Sequence, residues 1–203
     1  VGVDSVKIAG KGENFYLDME MVYIPSGSFV MGTDSAAVDS LYYDNRDELP
    51  AHEVHLSAFL IGRYEVTNIQ YYEFWKEEGE DRTPADTSAI GRWPDVALSK
   101  PNFPVIGVSW EDAMAFCRWL SLRTGEHYTL PTEAQWEYVA RGGQNRYYPW
   151  SLLEEEPVDS AEQAIPDEQR ANVKRGGDGY TFTAPVNAFP EGASAFGPLN
   201  MAG

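Results

Sequence analysis

Apolar and polar residues alternate along the N-terminal third of the chain, as they do in half-buried β-strands. Residues 19–32 place apolar side chains at alternate positions on both sides of a Pro25-Ser26-Gly27-Ser28 turn. Two alternating segments joined by such a turn predict a β-hairpin. The alternation continues over residues 54–66 with a break at Gly62, which predicts one or two further strands.

Three helices have clear start and end signals. The first is expected to begin at Thr67, which forms a capping box with Gln70, and to end at Gly79. The second is predicted from Ser109 to Gly125, and the third from Thr132 to Gly142-Gly143. The helical period predicts these apolar faces, in chain order: Ile69, Tyr72 and Trp75; Ala113, Phe116, Cys117 and Leu120; Trp136, Val139 and Ala140.

Regular structure is harder to recognise after Gly143. Residues 147–150 form a Tyr-Tyr-Pro-Trp run that we interpret as an aromatic plug for the core. The chain of 203 residues has the length of one domain. Short strands and helices joined by long, turn-rich connections, without βαβ alternation, indicate an α+β fold.

The charge of the chain excludes several classes of partner. With 15 basic and 32 acidic residues the net charge is −17, which disfavours binding to nucleic acid or to anionic lipid. The hydrophobic content of 43% is too high for an acidic disordered chain. No apolar run approaches the roughly 20 residues of a membrane span. Residues 34–53 and 151–170 carry most of the excess charge, and we interpret both as solvated surface loops or insertions.

The histidines and the cysteine, which are residue types that often serve in catalysis or metal binding, are interpreted here as structural or exposed residues. His52 and His55 are three residues apart on a predicted strand and would point to opposite faces, which is unsuitable for joint metal ligation. His127 follows a helix end and has no partner in sequence. Cys117 lies on the apolar face of the second helix and is interpreted as a buried, inert thiol.

One segment has a composition suited to a metal ion. Asn172-Val173 and Asp178-Gly179-Tyr180 flank a glycine-rich loop. An amide, a carboxylate and exposed carbonyls are hard oxygen ligands of the kind that calcium takes. From composition alone a plain tight turn remains the simpler interpretation, so both alternatives stay open at this point.

An ordered set of sequence blocks resembles the formylglycine-generating enzyme, or sulfatase-modifying factor, family. The blocks are residues 21–32, 48–52, 59–72, 104–120, 130–143, 148–150, 184–190 and 197–203. The resemblance implies a turn-rich α+β fold related to C-type lectins, with little regular secondary structure. It also implies that residues 1–18 are an N-terminal extension and that residues 19–203 are a domain of this family. We expect that domain to be truncated in its C-terminal part.

The resemblance further implies two structural calcium ions. The first would be held by the side chains of Asn172 and Asp178 and by the carbonyls of Val173 and Tyr180. The second would use Asn200 and Gly203, together with groups of a following Asn-x-Trp-Glu-Trp motif that these 203 residues do not contain. In active members of the family, two C-terminal cysteines bind copper(I). No catalytic residue is therefore assigned in this chain, and copper would be bound only through residues outside it.

Two functional hypotheses follow from the resemblance. The first is a binding or accessory protein of an envelope or extracellular system that holds a protein or peptide ligand. The alternative is a copper-dependent oxidase that uses dioxygen to convert a sulfatase cysteine, in a Cys-x-Pro-x-Arg segment, to formylglycine. Calcium dependence and the acidic composition favour a periplasmic or extracellular location. The remaining C-terminal part of the same domain is an expected partner in either case.

Overall fold

The computed structural model describes the backbone of residues 5–8 and all atoms of residues 18–33, 48–144, 146, 148–150, 169–173 and 177–202. Most of the two acidic stretches, residues 34–47 and 151–168, lies outside this part of the chain. Their interpretation as surface loops therefore stays a prediction. Tyr147 of the aromatic run and Gly203 of the second calcium set also lie outside the described residues. Tyr148 and Trp150 of the same run stack with ring centroids 5.3 Å apart and are half-buried.

Five short strands form two antiparallel sheets. Strands β1 (Ser5–Ile8), β2 (Met19–Ile24) and β5 (Phe59–Gly62) form a three-stranded sheet in the order β1-β2-β5. Strands β3 (Gly27–Met31) and β4 (His52–Leu56) form a two-stranded sheet. The register places Tyr23 opposite Leu60 in the first sheet and Phe29 opposite Val54 in the second.

The strands predicted on both sides of Pro25 are present, but the predicted hairpin between them is wrong. Strand β2 pairs with β1 and β5, whereas β3 pairs with β4. The chain passes from one sheet to the other at Pro25-Ser26. Val22, Ile24 and Phe29 are buried in one shared core, so both strands bury their apolar faces without pairing with each other. Alternation indicates which face of a strand is buried but does not choose its partner.

The described α-helices are α1 (Asn68–Glu78), α2 (Asp95–Ser99), α3 (Trp110–Thr124) and α4 (Glu133–Ala140). Helices α1, α3 and α4 begin and end close to where the sequence predicts. The side chains of Thr67, Ser109 and Thr132 each accept a hydrogen bond from a backbone N–H in the first turn, which confirms the three predicted caps. Helix α2 was not predicted. Single 3₁₀ turns occur at Glu80–Arg82 and Pro190–Gly192.

The predicted apolar face of α1 is rotated from the observed one, and that of α4 is wrong at one position. In α1 the fully buried aromatic residues are Tyr71 and Phe74, whereas the predicted Tyr72 is only half-buried. In α4 Val139 and Ala140 are buried as predicted, but Trp136 is 46% exposed and Tyr138 is buried instead. The prediction failed because aromatic residues lie on several sides of these helices, so the apolar period does not select one face. In α3 Phe116, Cys117 and Leu120 are buried as predicted, and Ala113 is half-buried.

Two apolar clusters form the core. One is largely aromatic and lies between α1, α2 and α3, where the rings of Tyr71 and Phe74 are 5.2 Å apart and those of Phe74 and Trp119 are 5.7 Å apart. The other joins both sheets to α4 and reaches Met201 near the end of the chain. The fold is α+β and turn-rich, as predicted. None of the described helices combines the length and apolar character that crossing a membrane would require.

Candidate functional site

A sizeable cavity lies among the connections rather than on a helix or a sheet. It has a volume of about 550 Å³, and we call it the loop cavity. Its walls combine amide, hydroxyl and carboxylate groups with apolar side chains. They are formed by Glu65, Pro104, Asn172, Val173, Thr181, Phe182, Thr183, Ala184, Phe189 and Asn200. Cavities of about 300–1,000 Å³ are typical of small-molecule sites, so the loop cavity is much larger than a cage for a single ion.

The wall that contains Glu65 and Asn200 is held in place by the first sheet. Strand β5 ends at Gly62, and the next residue, Arg63, donates its N–H to the Glu20 carbonyl of β2 at 2.8 Å. The Arg63 carbonyl in turn accepts from the N–H of Leu199 at 2.9 Å. The backbone that follows β5 therefore fixes the backbone next to Asn200.

The side chain of Asn200 has a fixed orientation. Its Nδ2 donates to Glu65 Oε2 at 2.8 Å and to the Val186 carbonyl at 2.9 Å. Its backbone has φ +57°, a left-handed conformation that asparagine tolerates better than most residues. With both amide hydrogens donated, the Asn200 amide oxygen is the group that this side chain can offer to a ligand in the cavity.

Glu65 has an unusual electrostatic environment. Burial of its carboxyl group raises its pKa, and the hydrogen bond from Asn200 offsets part of this effect. The residue as a whole stays exposed to solvent. It also lines a second cavity of about 150 Å³, beside Asp18 and Glu20. The Glu65 side chain thus forms part of the wall of both cavities.

The predicted calcium loop is closed around the carboxylate of Asp178. Its Oδ2 accepts from the N–H of Val173 and its Oδ1 from the N–H of Tyr180, both at 2.9 Å. Asn172 Nδ2 donates to the Phe182 carbonyl at 2.9 Å. Residues 174–176 lie outside the described part. These bonds bring together Val173, Asp178 and Tyr180, and they would also occur in a plain turn, so the calcium assignment stays a prediction.

The donor set of this loop fits a hard cation. Each carboxylate oxygen of Asp178 accepts one N–H and so keeps a further lone pair. The amide nitrogen of Asn172 is used by the Phe182 carbonyl, which leaves its oxygen for a ligand. In the described part of the chain, no three His, Cys, Asp or Glu side chains are grouped to hold a metal. Any ion here would therefore depend on one carboxylate together with amide and carbonyl oxygens, which suit calcium better than a transition metal.

Some residues of the two predicted calcium sets line the same cavity, whereas Asp178 and Tyr180 are not among its lining residues. Asn172 and Val173 of the first set and Asn200 of the second all line the loop cavity. Sequence reasoning missed Glu65, although it lies in the 59–72 block. It also missed Thr183, whose buried hydroxyl has no hydrogen-bond partner among the described residues, and Phe182, whose side chain is 58% exposed. No local pattern marks these residues, because their role arises from segments that meet only in the folded chain.

The remaining candidates take the structural roles that the sequence predicts. His52 Nδ1 lies 3.0 Å from the Pro50 carbonyl and His55 Nδ1 lies 3.2 Å from Ser28 Oγ, and both residues are exposed. His127 is exposed beyond the end of α3. Cys117 is buried, and burial raises the pKa of its thiol, which disfavours the reactive thiolate.

Comparisons with known proteins agree with this architecture. The family described as "Sulfatase-modifying factor enzyme 1-like domain" matches residues 11–203. The formylglycine-generating enzyme of Bos taurus is 32% identical over 91% of this chain and 55% of its own length. The protein named inactive C-alpha-formylglycine-generating enzyme 2 of Mus musculus is 31% identical over 85% of this chain and 63% of its own length. The chain thus spans little more than half of the length of these relatives.

A solved structure shows the same fold. PvdO from Pseudomonas aeruginosa superposes with a TM-score of 0.67 at 28% sequence identity. The superposition covers 98% of this chain and 72% of that one. It confirms the predicted fold of the formylglycine-generating enzyme type.

Proposed function

Because the chain belongs to the sulfatase-modifying factor enzyme 1-like domain family, we propose that it is a binding or accessory protein that holds a protein or peptide ligand at the loop cavity. The observation that carries this proposal is the cavity itself, with a volume of about 550 Å³. It presents amide and hydroxyl groups beside the exposed ring of Phe182. Such a mixture suits the backbone and apolar side chains of a peptide.

The single thiol of these 203 residues is not suited to the copper chemistry of the alternative function, whose cysteines would lie outside them. Cys117 is the only cysteine of the chain, and it is buried with a raised pKa. One buried thiol does not fit a copper(I) centre built from two thiolates. The murine relative, whose name describes it as inactive, indicates that such domains occur without the activity.

The alternative is copper-dependent oxidation of a sulfatase cysteine. It is supported by the bovine relative, which is named a formylglycine-generating enzyme. Since Cys117 cannot form a thiolate pair, that activity would depend on cysteines outside these 203 residues. The residues described here would then bind and orient the substrate rather than react with it.

A peptide containing Cys-x-Pro-x-Arg separates the two functions. We expect the fluorescently labelled peptide to bind with a change in anisotropy, and its cysteine to keep its mass after incubation with copper and oxygen. Phe182→Ser should weaken binding about tenfold because the exposed ring lines the cavity. The matched control is Leu122→Ser, since Leu122 is 89% exposed on α3 and does not line the cavity. Conversion of the thiol to an aldehyde would favour the oxidase, and equal binding by both variants would contradict the proposed site.

We further propose that calcium stabilises the loop closed by Asp178. A chelator should then lower the melting temperature, and the effect should be smaller in Asp178→Asn because the amide donates less charge to the ion. Asp86→Asn is the matched control: Asp86 also accepts bonds from a nearby residue, Ser88, but lies in another turn. Identical melting curves with and without chelator would contradict calcium binding.

The same proposal includes an exported location, either periplasmic or extracellular. Extracellular calcium modules work with dissociation constants of about 10⁻⁴–10⁻³ M, which calcium reaches outside cells but not in the cytosol. Fractionation of the native host should find the protein outside the cytoplasm. Its recovery in the cytoplasmic fraction would contradict this part.

A further inference from the structure

We propose that the aromatic cluster between α1, α2 and α3 carries a one-electron oxidising equivalent to Trp119, which loses its indole proton to Glu77 and holds the equivalent as a neutral radical. The oxidant is a soluble one-electron oxidant, such as an oxygen-derived radical, that removes an electron at the surface of the cluster. This activity does not depend on ligand binding at the loop cavity and gives the cluster a role besides packing.

The rings form a continuous path from the surface into the core. Trp75 is half-buried, and its ring centroid lies 6.1 Å from that of the buried Trp93. The Trp93 ring is 5.8 Å from Tyr71, Tyr71 is 5.2 Å from Phe74, and Phe74 is 5.7 Å from Trp119. Rings at such separations are in contact, and electrons tunnel readily between them. An electron removed at Trp75 can therefore be replaced, through these rings, by one from Trp119.

The partners of the indole N–H groups determine where the oxidising equivalent stops. Oxidation makes an indole N–H strongly acidic, so the radical is most stable where a base accepts the proton. Trp119 Nε1 donates to the carboxylate oxygen Glu77 Oε2 at 2.9 Å. Trp75 Nε1 donates to the neutral hydroxyl of Thr83 at 2.9 Å, and Trp93 Nε1 has no hydrogen-bond partner among the described residues. Of these indoles, Trp119 is the one with a base in place.

The charged groups around Trp119 favour loss of its proton. Burial raises the pKa of Glu77, but the hydrogen bonds from Trp119 and Arg123 together lower it by more, so the carboxyl is ionised at neutral pH and can accept a proton. The guanidinium of Arg123 lies 5.4 Å from the centroid of the Trp119 ring. This positive charge disfavours a radical cation on the ring and favours the neutral radical.

Tyr71 serves as a bridge and not as a trap. Its hydroxyl donates to the Arg82 carbonyl at 2.9 Å, and a carbonyl is too weak a base to take the proton. Burial and the nearby Asp112 raise the pKa of Tyr71 to about 12. A phenol that keeps its proton is difficult to oxidise, so the oxidising equivalent passes on to Trp119.

Electrons and protons balance over one cycle. The oxidant takes one electron from the cluster, and the N–H proton of Trp119 moves to Glu77. A soluble thiolate then returns one electron and Glu77 returns the proton, which restores the indole. The thiolate becomes a thiyl radical, and two such radicals couple to a disulfide.

A photo-oxidant attached beside Trp75 tests the relay. Glu80 is exposed, and its carbonyl accepts from the Thr83 hydroxyl that binds the Trp75 indole, so Glu80→Cys provides a nearby thiol for a ruthenium photosensitiser. The native Cys117 is buried. Of the six tryptophans, those outside the cluster are replaced by phenylalanine in the test protein: Trp110, Trp136 and Trp150. After a flash with a soluble electron acceptor, transient absorption distinguishes the neutral indole radical from the radical cation.

We expect a neutral indole radical that is lost in Trp119→Phe and reduced in yield in Trp93→Phe. Glu77→Gln keeps an oxygen acceptor but takes no proton, so the neutral radical should form about 100-fold more slowly. The matched control is Glu78→Gln, which removes a neighbouring exposed carboxylate and should change nothing.

The opposite results would overturn the relay. They are an undiminished neutral radical in Trp119→Phe or Trp93→Phe, or equal rates in Glu77→Gln and Glu78→Gln. If Trp119→Phe does not fold, Glu77→Gln still decides, since Glu77 lies at the surface. Peptide binding at the loop cavity should be the same in Glu77→Gln as in the wild type, which keeps this test separate from that of the proposed function.

Discussion

Asp112 combines several local roles in one side chain. Its Oδ1 accepts from Arg82 Nη1 at 2.8 Å and its Oδ2 accepts from Ser109 Oγ at 2.7 Å. Its backbone N–H donates to the same Ser109 hydroxyl, which caps α3. The hydrogen bonds from Arg82 and Ser109 hold the pKa of this carboxyl below its usual range. The residue therefore links the turn after α1 to the start of α3.

Replacing this carboxylate should make stability less sensitive to acid. Because the folded pKa of Asp112 is lower than the unfolded one, its contribution is present above the ordinary Asp pKa of about 4 and is lost as the pH falls through the folded value. We expect Asp112→Asn to lower the free energy of unfolding by about 1 kcal/mol at neutral pH. The difference from the wild type should shrink towards pH 3. Urea denaturation at both pH values measures it.

The matched control for this prediction is Asp81→Asn. Asp81 is exposed in the neighbouring 3₁₀ turn and is not among the hydrogen-bonding partners of Ser109. It should change stability little at either pH. An equal loss in both variants, or a loss in Asp112→Asn that grows on acidification, would contradict the assignment.

Gly125 shows how an element end is determined. Helix α3 ends at this glycine, whose φ is +82° and whose N–H donates to the Ser121 carbonyl. A Cβ atom at this position would meet no other atom within 4 Å. Glycine is therefore favoured here by its backbone conformation and not by a lack of space for a side chain. The left-handed conformation costs other residues about 1–2 kcal/mol.

Gly125→Ala should therefore destabilise the chain by about 1 kcal/mol, and Gly125→Asn by less, since asparagine tolerates the left-handed region. Thermal or urea unfolding gives the order of the three proteins. An alanine variant as stable as the wild type would show that the end of the helix can relax at no cost.

The sequence predicted element ends better than element orientation. Thr67 and Ser109 mark helix starts through hydrogen bonds to nearby residues, and such local chemistry is visible in the sequence. Which face of α1 is buried depends on α2 and α3, so Tyr71 rather than Tyr72 could not be chosen from the period alone. Helix α2 was missed because it is five residues long and has no side-chain cap.

In the candidate site too, local features could be predicted from the sequence and long-range contacts could not. The loop around Asp178 is local, and composition together with family resemblance pointed to its residues. Glu65 was missed because its role comes from a contact with Asn200, 135 residues away in sequence. The sharing of one cavity by Asn172 and Asn200 also arises only when separate segments meet.

At the scale of the whole molecule, charge is the dominant property. A net charge of −17 in 203 residues implies repulsion among the acidic side chains. Some of the 15 basic residues form ion pairs with acidic ones, such as Arg63–Glu20 and Arg82–Asp112, and these pairs are partly exposed to solvent. Exposed pairs of this kind contribute little, so the repulsion is not offset by them.

Raising sodium chloride from about 10 mM to about 150 mM should raise the melting temperature, because the screening length falls from about 30 Å to about 8 Å. The buffer contains a chelator in both cases, so that traces of calcium do not contribute. A melting temperature that falls with added salt would mean that attractive pairs outweigh the repulsion.

The contact between Glu65 and Asn200 also bears on the order of folding. Strands β2 and β5 can pair as soon as residue 62 has left the ribosome, whereas this wall of the loop cavity needs residue 200. Closing a loop of that length carries an entropic cost before any contact repays it. This wall of the cavity should therefore form late in folding, after the first sheet has assembled. A ligand that binds there would bind only to chains in which residue 200 has been synthesised and has folded against Glu65.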